Sequence, residues 1–417
     1  MQKKQFILLC FLFINIYSQA QDSQPAIPVV CHLSHEDAFT QVLADESFLA
    51  NAKITAPTST IDITYTGVPT EAKAAIEKAV SIWKTLIVSN IPIKINVTWT
   101  AKASTTLAVS GAERVFRDFT NAPKKSVWYV GALAEALANK DLNSGGTDIT
   151  LGLNSSINWY YGTDGKPTSG KYDLVTVTLH EIAHGLGFAT SFAINDTNAL
   201  QGQWGQSGYA YIYDTFIQDV QKRKLVNTAI FGNPSADLKT YLTGSNLYFG
   251  LSNTTNYPRI YAPSSYTDGG SISHLNENSY AAGTANALMS PNIRSAEVIQ
   301  KPGDVILSIL SHLGWLINGY NGVIVTGTEN IPESIAAVSV YPNPVEETLQ
   351  ILFASQSTPR DITINLLDFN GKIIQTINKE AIYSDLLSLD VSSLPAGMYL
   401  ISIQDGATKI VKKVVKR

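Results

Sequence analysis

The residues best equipped to do chemistry are His180-Glu181-Ile182-Ala183-His184. They end a stretch from Asp173 in which Leu174 and Val177, with Ile182 and Leu186 beyond, recur at helical spacing, and Asp173 is placed to cap the start. Histidines four apart stand one turn above each other on a helix, so both imidazoles can reach one metal ion. Glu181 lies beside them and can serve as general base toward a water that the metal activates. So apolar a helix does not carry three ionisable groups idly, which weighs against ordinary packing.

Two histidines do not complete a catalytic zinc site, which normally takes three protein ligands and a water. Four histidines remain, His32, His35, His274 and His312, and no glutamate occurs between Glu181 and Glu277. Thr190, ten residues after His180, cannot ligate, and Asp196 is the nearest acidic candidate. His274 is better placed, in the polar run Ser273-His274-Leu275-Asn276-Glu277 after Gly269-Gly270. His312 sits in an apolar helical run and reads as a core or cap residue. Cys31 next to His32 invites a further idea, a thiolate filling the metal's open position and silencing the enzyme. The plainer reading, a free cysteine in a poorly ordered segment, is preferred.

HExxHxLGF at His180, a distant SHxxE at Ser273, and Leu288-Met289-Ser290-Pro291 together resemble the leishmanolysin-like branch of the metzincin metallopeptidases. The resemblance spans roughly residues 60–315. It implies zinc held by His180, His184 and His274, with Glu181 as the base. It also implies a tight turn at Met289 beneath the metal and a chain reversal at Gly187. The spacing from His274 to Met289 is longer than that family's pattern, and the cysteine-rich parts of its eukaryotic members are absent. Core packing remains the plain alternative for Met289.

The elements that must position these residues read as α/β. Ile61 to Tyr65 alternates as a strand; Ala72, Ala75, Ile76, Ala79, Val80, Trp83, Leu86 and Ile87 form one helical face; Ile93 to Trp99 alternates again. Leu133 to Ala138 is expected to be helical and Thr147 to Leu153 a strand, offered as the cleft edge on which a peptide would pair. Regular structure is expected to begin at Thr60. Beyond a Gly/Asn/Thr-rich break the period becomes two, with seven short strands from Ser339 to Val415 and turn signals at Asn370-Gly371 and Asp405-Gly406. Val340-Tyr341-Pro342-Asn343-Pro344, Asp368-Phe369-Asn370-Gly371-Lys372, Leu394-Pro395-Ala396-Gly397-Met398-Tyr399 and the basic end resemble the type IX secretion sorting domain of Bacteroidota. That resemblance implies passage through the periplasm and across the outer membrane.

The expected organisation is a signal peptide at 1–20, an N-terminal segment able to act as a propeptide at 21–57, and a zinc metallopeptidase domain at 58–320. A linker follows at 321–334, then the sorting domain at 335–417. The fold class is α+β, zincin/metzincin-like, with a twisted sheet and active-site helix, followed by a small all-β Ig-like sandwich. Lys3 and Lys4, the apolar run Phe6 to Ile16 and Ser18-Gln19-Ala20 carry the signal-peptide reading. No other stretch is long and apolar enough to span a membrane, so none is expected in the mature chain. A net charge of -4 with 15% charged residues does not suit nucleic acid, and two cysteines cannot build a disulfide framework. The expectation is a secreted zinc endopeptidase, extracellular or at the cell surface, acting on protein or peptide and engaging the type IX machinery. Its rival is a secreted binding or adhesion protein with a structural or degenerate zinc site. A metallohydrolase acting on another bond is a third possibility.

Overall fold

The structure, a computed structural model, describes residues 22–43, 58–244, 246–251, 257–318, 339–341, 344–352, 360–367, 373–382, 386–405 and 408–417. The signal-peptide residues, the linker, and the Asn370-Gly371 turn lie outside them. The chain divides into two compact units, Met1–Val325 and Thr326–Arg417.

In the first unit the main elements are β1 (Asp22–Pro25), β2 (Val29–Val42), β3 (Ile61–Thr66), α1 (Thr70–Leu86), β4 (Ile93–Thr100), β5 (Thr106–Ala112), β6 (Arg114–Arg117), α2 (Gly131–Ala138), β7 (Ile149–Asn154), α3 (Leu174–Gly185), α4 (Ala236–Leu242), β8 (Asn292–Ile299) and α5 (Asp304–Leu313). The alternating residues of β4 bury Ile93, Ile95 and Val97. Its parallel neighbours β3 and β7 set Ile61 opposite Ile93 and Ile149 opposite Ile95. Parallel neighbours need a crossover, and α1 supplies the one between β3 and β4. The helix buries Ala72, Ala75, Ile76, Ala79, Val80, Ile82, Trp83 and Leu86. Trp83 donates from its indole nitrogen to the carbonyl of Leu179 in α3 at 3.0 Å, so the packing of α1 also fixes the site helix.

The six-stranded sheet runs β8-β2-β5-β7-β4-β3. Two sequence expectations are corrected by that order. Regular structure begins well before Thr60: β2, within the N-terminal segment 21–57, is an inner strand. It runs antiparallel to β5 and parallel to β8. Its register slips at Cys31/His32 and again against β8, and Phe39 has φ 47°, so its alternation is broken in the sequence. The strand is held by backbone pairing on both sides, which no side-chain pattern announces. The second correction concerns β7, which lies between β4 and β5 and offers no free edge to a peptide.

The second unit is a β-sandwich. One sheet joins β9 (Ser339–Tyr341), β10 (Thr348–Leu352) and, further on, β13 (Leu386–Asp390). The other has β11 (Arg360–Leu367), β12 (Ile373–Ile382), β14 (Gly397–Asp405) and β15 (Thr408–Lys416), ordered β12-β11-β14-β15. Leu349, Ile351 and Leu389 from the first meet Ile362, Ile364, Ile401 and Ile403 from the second in one core. Among the described residues no helix is long and apolar enough to cross a membrane.

Candidate metal centre

Asp173 caps α3, accepting from the Thr176 amide at 2.9 Å and from its hydroxyl at 2.6 Å. The whole helix is buried. At its far end Trp315 donates to the Leu186 carbonyl at 2.7 Å. Gly187 follows with φ 120°, a left-handed backbone that suits glycine, and the chain turns away there.

Within this frame His180 and His184 meet His274. The Nε2 atoms of His180 and His184 are 3.1 Å apart, and those of His180 and His274 are 3.3 Å apart. Cys31 Sγ lies 3.0 Å from His180 Nε2 and 3.6 Å from His184 Nε2. The four donor atoms all stand within 4.8 Å of one another, and all four residues are buried. For comparison, nitrogens about 2.0–2.1 Å from a tetrahedral zinc stand roughly 3.3–3.4 Å apart, and a thiolate sulfur about 3.6 Å from each.

The hydrogen bonds behind the rings show what the cluster lacks. His180 Nδ1 faces the Leu288 carbonyl at 2.5 Å, His184 Nδ1 the Phe188 carbonyl at 2.6 Å, and His274 Nδ1 the Gly270 carbonyl at 2.7 Å. A carbonyl can only accept, so each Nδ1 carries the hydrogen and each Nε2 turns a lone pair inward. Burial lowers the pKa of His180 to about 4 and those of His184 and His274 well below the usual imidazole range, so protons do not fill the gap. One thiol hydrogen cannot satisfy three lone pairs. The donor set fits a cation, and this buried Cys/His3 group could hold a metal ion.

Glu181 is fully buried next to the cluster. Ser110 of β5 donates to its Oε2 at 2.5 Å and to its backbone carbonyl at 3.1 Å. Oε1 has no hydrogen-bond partner. Burial raises the Glu181 pKa to about 7 and pushes the Cys31 thiol well above its ordinary value, Glu181 adding to the latter.

The structure thus brings together all four residues that the sequence singled out, His180, Glu181, His184 and His274. Asp196 lies exposed and outside the group. Glu277 pairs with Arg294 instead. His312 bonds the Ser308 carbonyl at 2.8 Å and lies edge-on to Phe216. Met289 is buried in a short 3-10 turn, and the group from that turn that touches the site is the Leu288 carbonyl. Cys31 corrects the preferred sequence reading: it is ordered, 1% exposed, and a member of the cluster. Ser110 was missed, since a serine in an apolar strand carries no signal of the residue it will face.

Residues 339–417 match the family model described as a secretion system C-terminal sorting domain. The C-terminal unit is a type IX secretion sorting domain. The protein is therefore secreted, to the cell surface or the medium. Residues 138–260 match a second model, SPBPB7E8-like, which takes in α3 but neither Cys31 nor His274. An uncharacterized protein of Schizosaccharomyces pombe is 34% identical over 91 residues, 22% of this chain and 14% of that protein's length. Among solved structures, an immunoglobulin-like β-sandwich protein of Bacteroides vulgatus is 20% identical, covering 19% of this chain and 83% of that one at a TM-score of 0.17. The fn3 domain of human contactin 1 is 14% identical, covering 23% and 88% at a TM-score of 0.17.

Proposed function

We propose that the chain is a secreted zinc endopeptidase, of metzincin-like fold, made in a latent form. The observation that carries this is the convergence of three imidazole lone pairs beside a buried glutamate with one unpartnered oxygen. Zinc bound by His180, His184 and His274 would polarise the scissile carbonyl and acidify a water. Glu181 Oε1 takes the proton of the attacking water and later delivers it to the leaving amine. Ser110 holds Oε2 and leaves Oε1 to do this. In the latent chain Cys31 supplies the fourth donor, carried on β2, which pairs with β5 and β8.

The fourth protein donor also suits a second reading, a closed structural zinc in a secreted binding protein. Under that reading Glu181 is idle, which makes it the discriminating residue. Glu181→Gln should keep zinc, by metal analysis, and lose at least 10²–10⁴-fold of peptide hydrolysis by the secreted protein. His180→Ala should lose both. If the secreted parent holds zinc and cleaves no peptide, the structural reading replaces the enzymatic one.

A further inference from the structure

Residues 22–43 contain no lysine or arginine, and their acidic residues are Asp22, Glu36 and Asp37. Each meets a matching group on the body of the first unit. Asp22 pairs with Arg117 at the start of the segment. Six residues beyond Cys31, the Asp37 carboxylate accepts from the hydroxyls of Ser169 and Ser295 and from the Gly170 amide at 3.0 Å. Arg294 Nε lies 3.7 Å from the Glu36 carboxylate. These hydrogen bonds hold the Asp37 pKa below the ordinary carboxylate range.

Three donors converge on the one exposed Asp37 carboxylate, and the Arg294 guanidinium, which pairs with Glu277, also lies against the neighbouring Glu36. Ser295 and Arg294 belong to β8, the strand that flanks β2. Gly269 lets the chain pass close by: its φ is 74°, and a Cβ there would stand 2.6 Å from the Val30 amide nitrogen. The segment therefore lies as a ligand of fixed register, antiparallel to β5, with Val29 opposite Ser110 and Cys31 opposite Ala108.

We infer that Ser169, Gly170, Ser295 and Arg294 form a carboxylate-binding subsite, filled here by Asp37 with Glu36 beside it, that selects peptides bearing an acidic side chain six residues past the one over the metal. The substrate part of this rests on the peptidase reading; the subsite itself does not. Two measurements test it. In the full chain, alkylation of Cys31 and amide exchange over residues 32–42 report release of the segment. Asp37→Asn and Ser295→Ala should each speed both about tenfold, as loss of a charge-assisted hydrogen bond does. The double variant should be no faster than the faster single. Unchanged rates in both singles overturn the subsite. The secreted protein is then given a peptide of residues 26–42 carrying Cys31→Ala, and the same peptide with Asp37→Asn. The first should be cleaved with about tenfold higher kcat/KM, and Ser295→Ala enzyme should lose the preference. Equal cleavage by the parent overturns the selection. Faster alkylation in the variants with no cleavage by the zinc-loaded parent overturns the peptidase reading instead, and leaves the subsite as the holding point for the chain's own segment.

Discussion

Gly185→Ala sets two physical effects against each other. The residue follows His184 in the last turn of α3, where replacing glycine with alanine should stabilise a helix by roughly 0.8–1 kcal/mol. The added Cβ, however, would stand 2.4 Å from Ile149 Cγ2 and 2.8 Å from its Cδ1 and Cγ1. Ordinary contact begins near 3.4 Å, so α3 and β7 must part by about 1 Å or Ile149 must leave its rotamer. Overpacking of this kind costs about 1–3 kcal/mol. Over most of these ranges the packing term wins, and the variant should be less stable by up to about 2 kcal/mol. Urea unfolding followed by tryptophan fluorescence reads this cleanly, since Trp83, Trp99, Trp128, Trp159, Trp204 and Trp315 all belong to the first unit. Ile149→Ala alone should cost about 2–5 kcal/mol, and the double variant less than the sum of the singles. His184 moves with the helix, so metal affinity measured against a chelator should fall in Gly185→Ala and return in part in the double variant. A Gly185→Ala chain more stable than the parent would refute the reasoning, for it would mean that α3 does not lie against β7 at this distance.

If the Cys/His3 group holds zinc as proposed, a chelator should lower the unfolding temperature of the first unit and leave that of the sandwich unchanged, in differential scanning calorimetry; at a free metal concentration about 1,000 times Kd the loss is about 4 kcal/mol. Trp315→Phe leaves the buried Leu186 carbonyl without its donor, and urea unfolding should show a loss of about 1–3 kcal/mol. The pH prediction concerns Asp214, which burial raises to about 6 although Thr190, Ser191 and Tyr211 donate to it. A carboxyl raised on folding contributes fully below its unfolded value near 3.9, and that contribution is lost as pH rises through about 6. The stability of the parent relative to Asp214→Asn should therefore fall by up to about 3 kcal/mol between pH 4 and 6 and stay level above, in urea titrations at fixed ionic strength.

Much of this architecture was legible because it rests on local periodicity. Ala72 to Leu86 gave one helical face, and Ile93 to Trp99 alternated. Asp173 stood where a cap belongs, and the seven strands of the sandwich followed period two. His180, Glu181 and His184 were legible because a helix turns their spacing into geometry. His274 needed elimination, since its position depends on the chain returning from a distance of ninety residues. β2 was illegible for a different reason. Its bulges and the positive φ at Phe39 break the alternation, and its place in the sheet is set by two long-range backbone ladders. Cys31 went with it, because a cysteine acquires a role here only through that placement. Ser110 shows the same limit at the scale of one hydroxyl.

The position of β2 has a geometric consequence. Neighbouring strands lie about 4.8 Å apart, so β5 and β8 stand roughly 9.6 Å from each other with one strand's width between them. Were residues 29–42 to leave and the spacing to hold, the gap would be a slot with two unpaired rims, both presenting backbone donors and acceptors to whatever enters. A helix, at about 10–12 Å across its side chains, is too thick to lie in it, and a paired hairpin is two strands wide. What fits is a single extended chain, bonded on both sides at once. Under the peptidase reading, such a slot would sort by conformation before it sorts by side chain, favouring stretches of polypeptide that are already unpaired.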